Sequence, residues 1–107
     1  METIFEIKIQ NNENELILVK FVPDEFYTCV IDFVVSYRSK INGVFYEIIR
    51  FDGSRKEKSH VHKFYLNKKQ KQVIEKDFSF ETIEWCIKVI NENWHNYKIK
   101  FASKKYL

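Results

Sequence analysis

Glycine and proline are nearly missing from this chain: Gly43 and Gly53 are its two glycines and Pro23 its one proline. That scarcity excludes collagen-like repeats, Pro-rich recognition segments and Gly/Ser linkers, and it leaves few marked boundaries between elements. Cysteine is equally rare. Cys29 and Cys86 have no zinc-motif spacing and cannot make a disulfide framework, so both are expected to be small buried hydrophobes. Long apolar runs are also lacking. Cys29-Val30-Ile31 and Phe33-Val34-Val35 are cut by charge far short of the roughly 20 residues of a membrane span, so no membrane partner is expected. The first residues, Met1-Glu2-Thr3-Ile4-Phe5-Glu6, lack the basic start and apolar middle of a secretory leader. The expected location is the cytoplasm.

What the chain does have is aromatic bulk and charge. Ten Phe, six Tyr and two Trp, with 31% charged residues, describe a dense core in a solvated shell and exclude intrinsic disorder. At 107 residues one domain, 1–107, is expected. The charge is uneven: residues 1–53 carry five basic and nine acidic side chains, and residues 54–107 carry thirteen basic and six acidic. Arg55, Lys56, Lys58, Lys63, Lys68, Lys69 and Lys71 are set against the single acid Glu57. A cluster of this kind draws polyanions, because each phosphate contact releases condensed counterions, and RNA is the expected ligand. Lysines of this sort also keep turns soluble and sheet edges unpaired.

Periodicity carries the fold. Two-residue alternation predicts strands over residues 3–10, 16–22, 26–38, 44–52 and 60–66, with a short final one at 72–74. Asn42-Gly43 predicts a tight hairpin turn, since both residues tolerate positive φ. From Phe80 the period changes: Ile83, Ile87, Ile90, Trp94, Tyr97 and Phe101 recur at helical spacing, with Ser79 as N-cap. The expected fold is α+β, an antiparallel meander of about five strands within residues 3–74 packed on one amphipathic C-terminal helix over 79–101.

Chemistry concentrates in Arg50-Phe51-Asp52 and His60-Val61-His62. Alternation puts Arg50 and Asp52 on one strand face and His60 and His62 on one face of the next. A hairpin centred near Lys56 sets Asp52 against His60 and Arg50 against His62, and a one-residue change in pairing would separate the pairs. Two imidazoles can move protons to and from a phosphodiester while Arg stabilises the phosphoryl oxygens, a scheme that needs no metal or cofactor. Asp52 would orient His60. The same His60, His62 and Asp52 are also a common transition-metal ligand set, and cross-strand ion pairs are a purely structural alternative. Tyr46 and Ile48 are expected on the face of Arg50, and Phe64 and Leu66 on that of the histidines. His95, beside Trp94 late in the helix, is expected to stabilise the helix end.

The run Tyr46-Glu47-Ile48-Ile49-Arg50-Phe51-Asp52-Gly53, then His60-Val61-His62-Lys63-Phe64, resembles the Arg-aromatic-Asp and His-x-His pattern of the TumE-like toxins of prokaryotic toxin–antitoxin pairs. Asn91-Glu92-Asn93-Trp94 followed by Tyr97 extends the likeness over residues 44–101, although Gly53 stands where that family often has Asn. The resemblance implies a small toxin-like effector held in check by a helix-turn-helix antitoxin. Combined with the basic cluster, it makes an RNA-directed toxin, a metal-independent ribonuclease at His60, His62, Arg50 and Asp52, the first expectation. A non-catalytic module binding nucleic acid or protein through the basic hairpin and sheet face is the second. A homodimer joined through an exposed strand is the third.

Overall fold

The computed structural model describes residues 1–106, with side chains described through Lys104. Six strands form one antiparallel meander in chain order: β1 (Thr3–Lys8), β2 (Glu15–Pro23), β3 (Val30–Ile41), β4 (Val44–Ser54), β5 (Glu57–Lys63) and β6 (Lys71–Val73). A single helix, α1 (Phe80–Tyr106), crosses one face and packs chiefly on β3 and β4. The sheet has six strands where about five are expected, the sixth being the three-residue β6 paired to β5.

Register decides which side chains meet the helix. Ile17, Tyr37 and Ile49 face one another across β2, β3 and β4, as do Val19, Val35 and Phe51, with Val61 next in that row on β5. These side chains are buried with Ile83, Cys86 and Ile90 of α1. Each such burial contributes about 1.5–3 kcal/mol relative to exposure. Aromatic edges fill the remaining gaps: Phe51 meets Trp85 and Phe33 meets Phe78 at centroid distances of 5.6 Å, both nearly perpendicular. Asn42 (φ 52°) and Gly43 (φ 83°) turn β3 into β4 in the left-handed region, as the sequence predicts.

Ser79 caps α1, its Oγ accepting from the Thr82 amide at 3.1 Å. The helix runs past the expected end at residue 101. Phe101 is buried against Tyr46 at 5.6 Å, and Lys104 Nζ donates to the carbonyls of Phe64 (2.9 Å) and Leu66 (2.8 Å), so the last turns are anchored by tertiary contacts. Asn93 is accommodated by donating its Nδ2 to the Val89 carbonyl at 2.8 Å.

Two expectations fail in residues 24–29. Asp24 accepts from the amides of Thr28 (2.8 Å) and Cys29 (3.2 Å) and from the Thr28 hydroxyl (2.8 Å), closing a turn in which Tyr27 has φ 57°. Side chain-to-backbone bonding of this kind outcompetes a strand ladder, so β3 begins at Val30 and not at residue 26. Cys29 is consequently exposed rather than buried. Cys86 is buried, its thiol pushed up to about 12 by desolvation, and both cysteines are free.

Candidate functional site

The β4–β5 hairpin sets Asp52 opposite His60 and Arg50 opposite His62, the pairing read from the sequence. Directly opposed residues lie on the same side of a sheet, and these alternate with Phe51 and Val61, so all four lie on the face that α1 does not cover. Two cross-strand rows define the place. One runs Lys20, Val34, Asp52, His60, Val73 from β2 to β6; the next runs Leu18, Ser36, Arg50, His62, Lys71.

A bulge adds a fifth polar side chain. The register of β3 with β4 shifts between Tyr37 and Arg38, so that Tyr37 faces Ile49 while Arg38 faces Glu47, and Ile48 is the extra residue. Glu47 therefore shares the face of Arg50. Tyr46, expected on that face, packs on Phe101 of the helix instead. Arg50 then bridges two carboxylates: its Nη1 donates to Glu47 Oε1 at 2.8 Å and its Nε to Asp52 Oδ2 at 2.8 Å. Ser36 Oγ donates to the other Glu47 oxygen at 2.5 Å.

The histidines meet at their Nε2 atoms, 3.0 Å apart. His60 Nε2 is 2.5 Å from Asp52 Oδ1, and His62 Nε2 is 3.7 Å from Asp52 Oδ2. On the far side of its ring, His60 Nδ1 lies 2.9 Å from the Lys58 carbonyl oxygen, which can only accept, so Nδ1 carries a proton. The His60 side chain is 5% exposed and that of His62 19%; His62 is thus the histidine that solvent or a ligand can reach. Burial holds His62 below the usual histidine range, Arg50 adds to that, and Asp52 opposes it. Phe64 stacks on the His62 ring at 5.7 Å and receives the Arg50 guanidinium over its face at 5.5 Å, which fixes both.

These groups floor an open groove of about 540 Å³, bordered by Lys20, Val22, Asp32 and Lys71. Its cations and anions are largely matched. Arg50 is held by Glu47 and Asp52, and Lys71 by Glu57 at 2.6 Å, a pair that draws the Glu57 carboxyl below its ordinary value. Lys20 is the groove lysine that makes no ion pair among the described residues.

Residues 6–107 match a family described as a domain of unknown function, DUF7718. The chain belongs to this family. No curated protein and no solved structure matches it.

The basic residues of this DUF7718 domain are scattered. Arg55, Lys56 and Lys58 are exposed on the β4–β5 hairpin, and Lys68 and Lys69 are exposed in the β5–β6 connection. Lys63 stands across from Ile49, on the side of Phe51 and Val61, and so lies away from the cluster. Of the seven, Lys71 alone lines the groove. Lys20 and Glu47 belong to the site and escape a reading by local motif. The adjacent apolar pair Ile48-Ile49, which breaks alternation, is the sequence signal of the bulge that brings Glu47 in.

Proposed function

We propose that this DUF7718 domain is a small RNA-directed, toxin-like effector that acts on phosphodiester bonds at the Arg50, Asp52, His60 and His62 cluster. The observation that carries this reading is the single contact network joining those four side chains on the floor of an accessible groove. Lys20 and Arg50 are cations suited to phosphoryl oxygens, and the exposed Arg55, Lys56 and Lys58 hold the flanking strand by charge.

The two histidines work on the same side of the phosphate. With Nε2 atoms 3.0 Å apart they do not stand at the two ends of an in-line displacement, where a separate base and acid would be placed. His60, with both ring nitrogens engaged, is a positioning residue; His62 takes the proton of the attacking oxygen, the bond from phosphorus to the leaving oxygen breaks, and that oxygen takes its proton from water. A helix-turn-helix antitoxin that masks the groove belongs to the same reading, as does a cytoplasmic location. Among the described residues no helix is long and apolar enough to cross a membrane.

Expression should arrest growth, and purified chain should cleave RNA. Both effects should vanish in His62→Ala and Asp52→Asn variants whose circular dichroism and melting match the parent. Equal toxicity of those folded variants would overturn the proposal. RNA binding without cleavage, steeply weakened by salt, would identify a binding module instead.

A further inference from the structure

We infer that Asp52, His60 and His62 bind one divalent transition-metal ion of the zinc class through a carboxylate oxygen and the two Nε2 atoms. The first support is the direction of the lone pairs. With His60 Nδ1 donating to the Lys58 carbonyl, Nε2 is the nitrogen turned to Asp52 Oδ1 and His62 Nε2, and in the neutral ring it bears the lone pair that a metal ion takes. The three donor atoms lie within 4.8 Å of one another. Electron-rich atoms converging in this way need positive charge between them. A proton links two of them; a metal ion links all three. Tetrahedral ligands at zinc-type bond lengths stand about 3.3 Å apart. The two Nε2 atoms are 3.0 Å apart, His60 Nε2 is 2.5 Å from Asp52 Oδ1 and His62 Nε2 is 3.7 Å from Asp52 Oδ2, so the two imidazoles already stand near that spacing and binding asks the Asp52 carboxylate to turn one oxygen toward both.

The second support lies one layer out. Metal-bound imidazoles give their other N–H to a carbonyl or carboxylate, and metal-bound carboxylates are themselves hydrogen-bonded. His60 does the first through Lys58. Asp52 does the second through Arg50, which Glu47 holds, the Ser36 hydroxyl donating in turn to Glu47. A purely structural ion pair has no need of so ordered a chain.

Third, charge and access fit. Arg50 and Lys71 already face carboxylates and the unpaired Lys20 stands two strands from Asp52, so a metal ion would add positive charge at the cluster itself. Three protein ligands with a fourth position open to the groove is the coordination pattern of reactive rather than structural zinc. Two imidazoles and one carboxylate favour zinc, cobalt or iron(II) over magnesium or calcium, which take all-oxygen sites. The inference rests on the phosphodiester reading only for the reaction the ion would serve; binding is measured without substrate.

The full chain, stripped with chelator, should take up one Co(II) at neutral pH with visible absorption of four- or five-coordinate cobalt. Zn(II) should displace it and raise the melting temperature; Mg(II) at millimolar concentration should not compete. His62→Ala and Asp52→Asn should each weaken binding 10-fold or more and abolish the Zn(II)-dependent melting shift, and Lys63→Gln should leave both unchanged. Absence of cobalt absorption and of stoichiometric binding, or binding indifferent to both variants, would overturn the inference. Metal uptake with RNA left intact would uphold the inference and overturn the phosphodiester reading. Cleavage undiminished in chelator, without metal uptake, would do the reverse.

Discussion

Lys98 and Glu15, far apart in the chain, join the helix to β2 through a 2.7 Å ion pair at a carboxylate that is 2% exposed. The Glu15 carboxylate also accepts from the Tyr37 and Ser39 hydroxyls, each at 2.6 Å. Burial and this neighbouring carboxylate push the Tyr37 phenol above its usual range.

Removing Lys98 leaves that carboxylate buried with two neutral donors. Lys98→Met should therefore destabilise the fold by about 2 kcal/mol, below the ~3–5 kcal/mol of a wholly buried pair because Lys98 is about one-third exposed. Adding Glu15→Gln, which removes the unpaired charge and keeps an acceptor for the hydroxyls, should restore part of the loss. Denaturant unfolding of the two variants measures both effects.

A side chain at Gly53 would require two aromatic rings to shift. A Cβ there would lie 2.8 Å from Phe78 Cζ and 3.0 Å from Phe33 Cε1, rings that are packed edge to face. Gly53→Ala should cost about 1–3 kcal/mol by overpacking, and Phe78→Leu in the same chain should recover part of it. A melting temperature unchanged by Gly53→Ala would show that the two rings yield freely.

Acid should weaken the start of the helix in a particular way. Asp77 accepts from the hydroxyls of Ser79 (2.6 Å) and Thr82 (2.7 Å), and these bonds hold its carboxyl below the ordinary aspartate value. A carboxyl more acidic when folded adds stability that is complete above its unfolded pKa of about 4 and fades as pH falls through the lower folded value. Asp77→Asn should melt below the parent at pH 7, and the gap should close on acidification below pH 4. A gap independent of pH would assign the loss to geometry instead of charge.

Under the RNA reading, the basic residues should not contribute alike. Neutralising Arg55, Lys56 and Lys58 together should lower RNA affinity and reduce the slope of log affinity against log salt by about 1 for each phosphate left without a cation. Lys63→Gln should change neither, since Lys63 lies on the helix side of the sheet. Filter binding across a salt series would separate the two variants.

Most of the fold was legible because alternation and helical spacing are local signals. The Asn42-Gly43 turn, the Ser79 cap and the pairing of Asp52 with His60 all follow from short-range chemistry. The errors have physical causes of equally small reach. Tyr27 and Cys29 continue a strand pattern, but Asp24 captures the backbone of this turn and ends the ladder. Tyr46 left the face of Arg50 because one extra residue at Ile48 reverses parity, and alternation cannot reveal where a ladder skips. The charge balance of the groove was beyond reach for a different reason. Glu47, Glu57 and Lys20 come from separate strands, and only assembled register shows which cation each anion holds.

The site and the core divide the hairpin between them residue by residue. Phe51 and Val61 belong to the interior, whereas Arg50, Asp52, His60 and His62 belong to the opposite side. Immediate neighbours in sequence thus carry different tasks. Substitutions along these strands should alternate in effect, one position felt as a change in stability and the next as a change in what the groove binds.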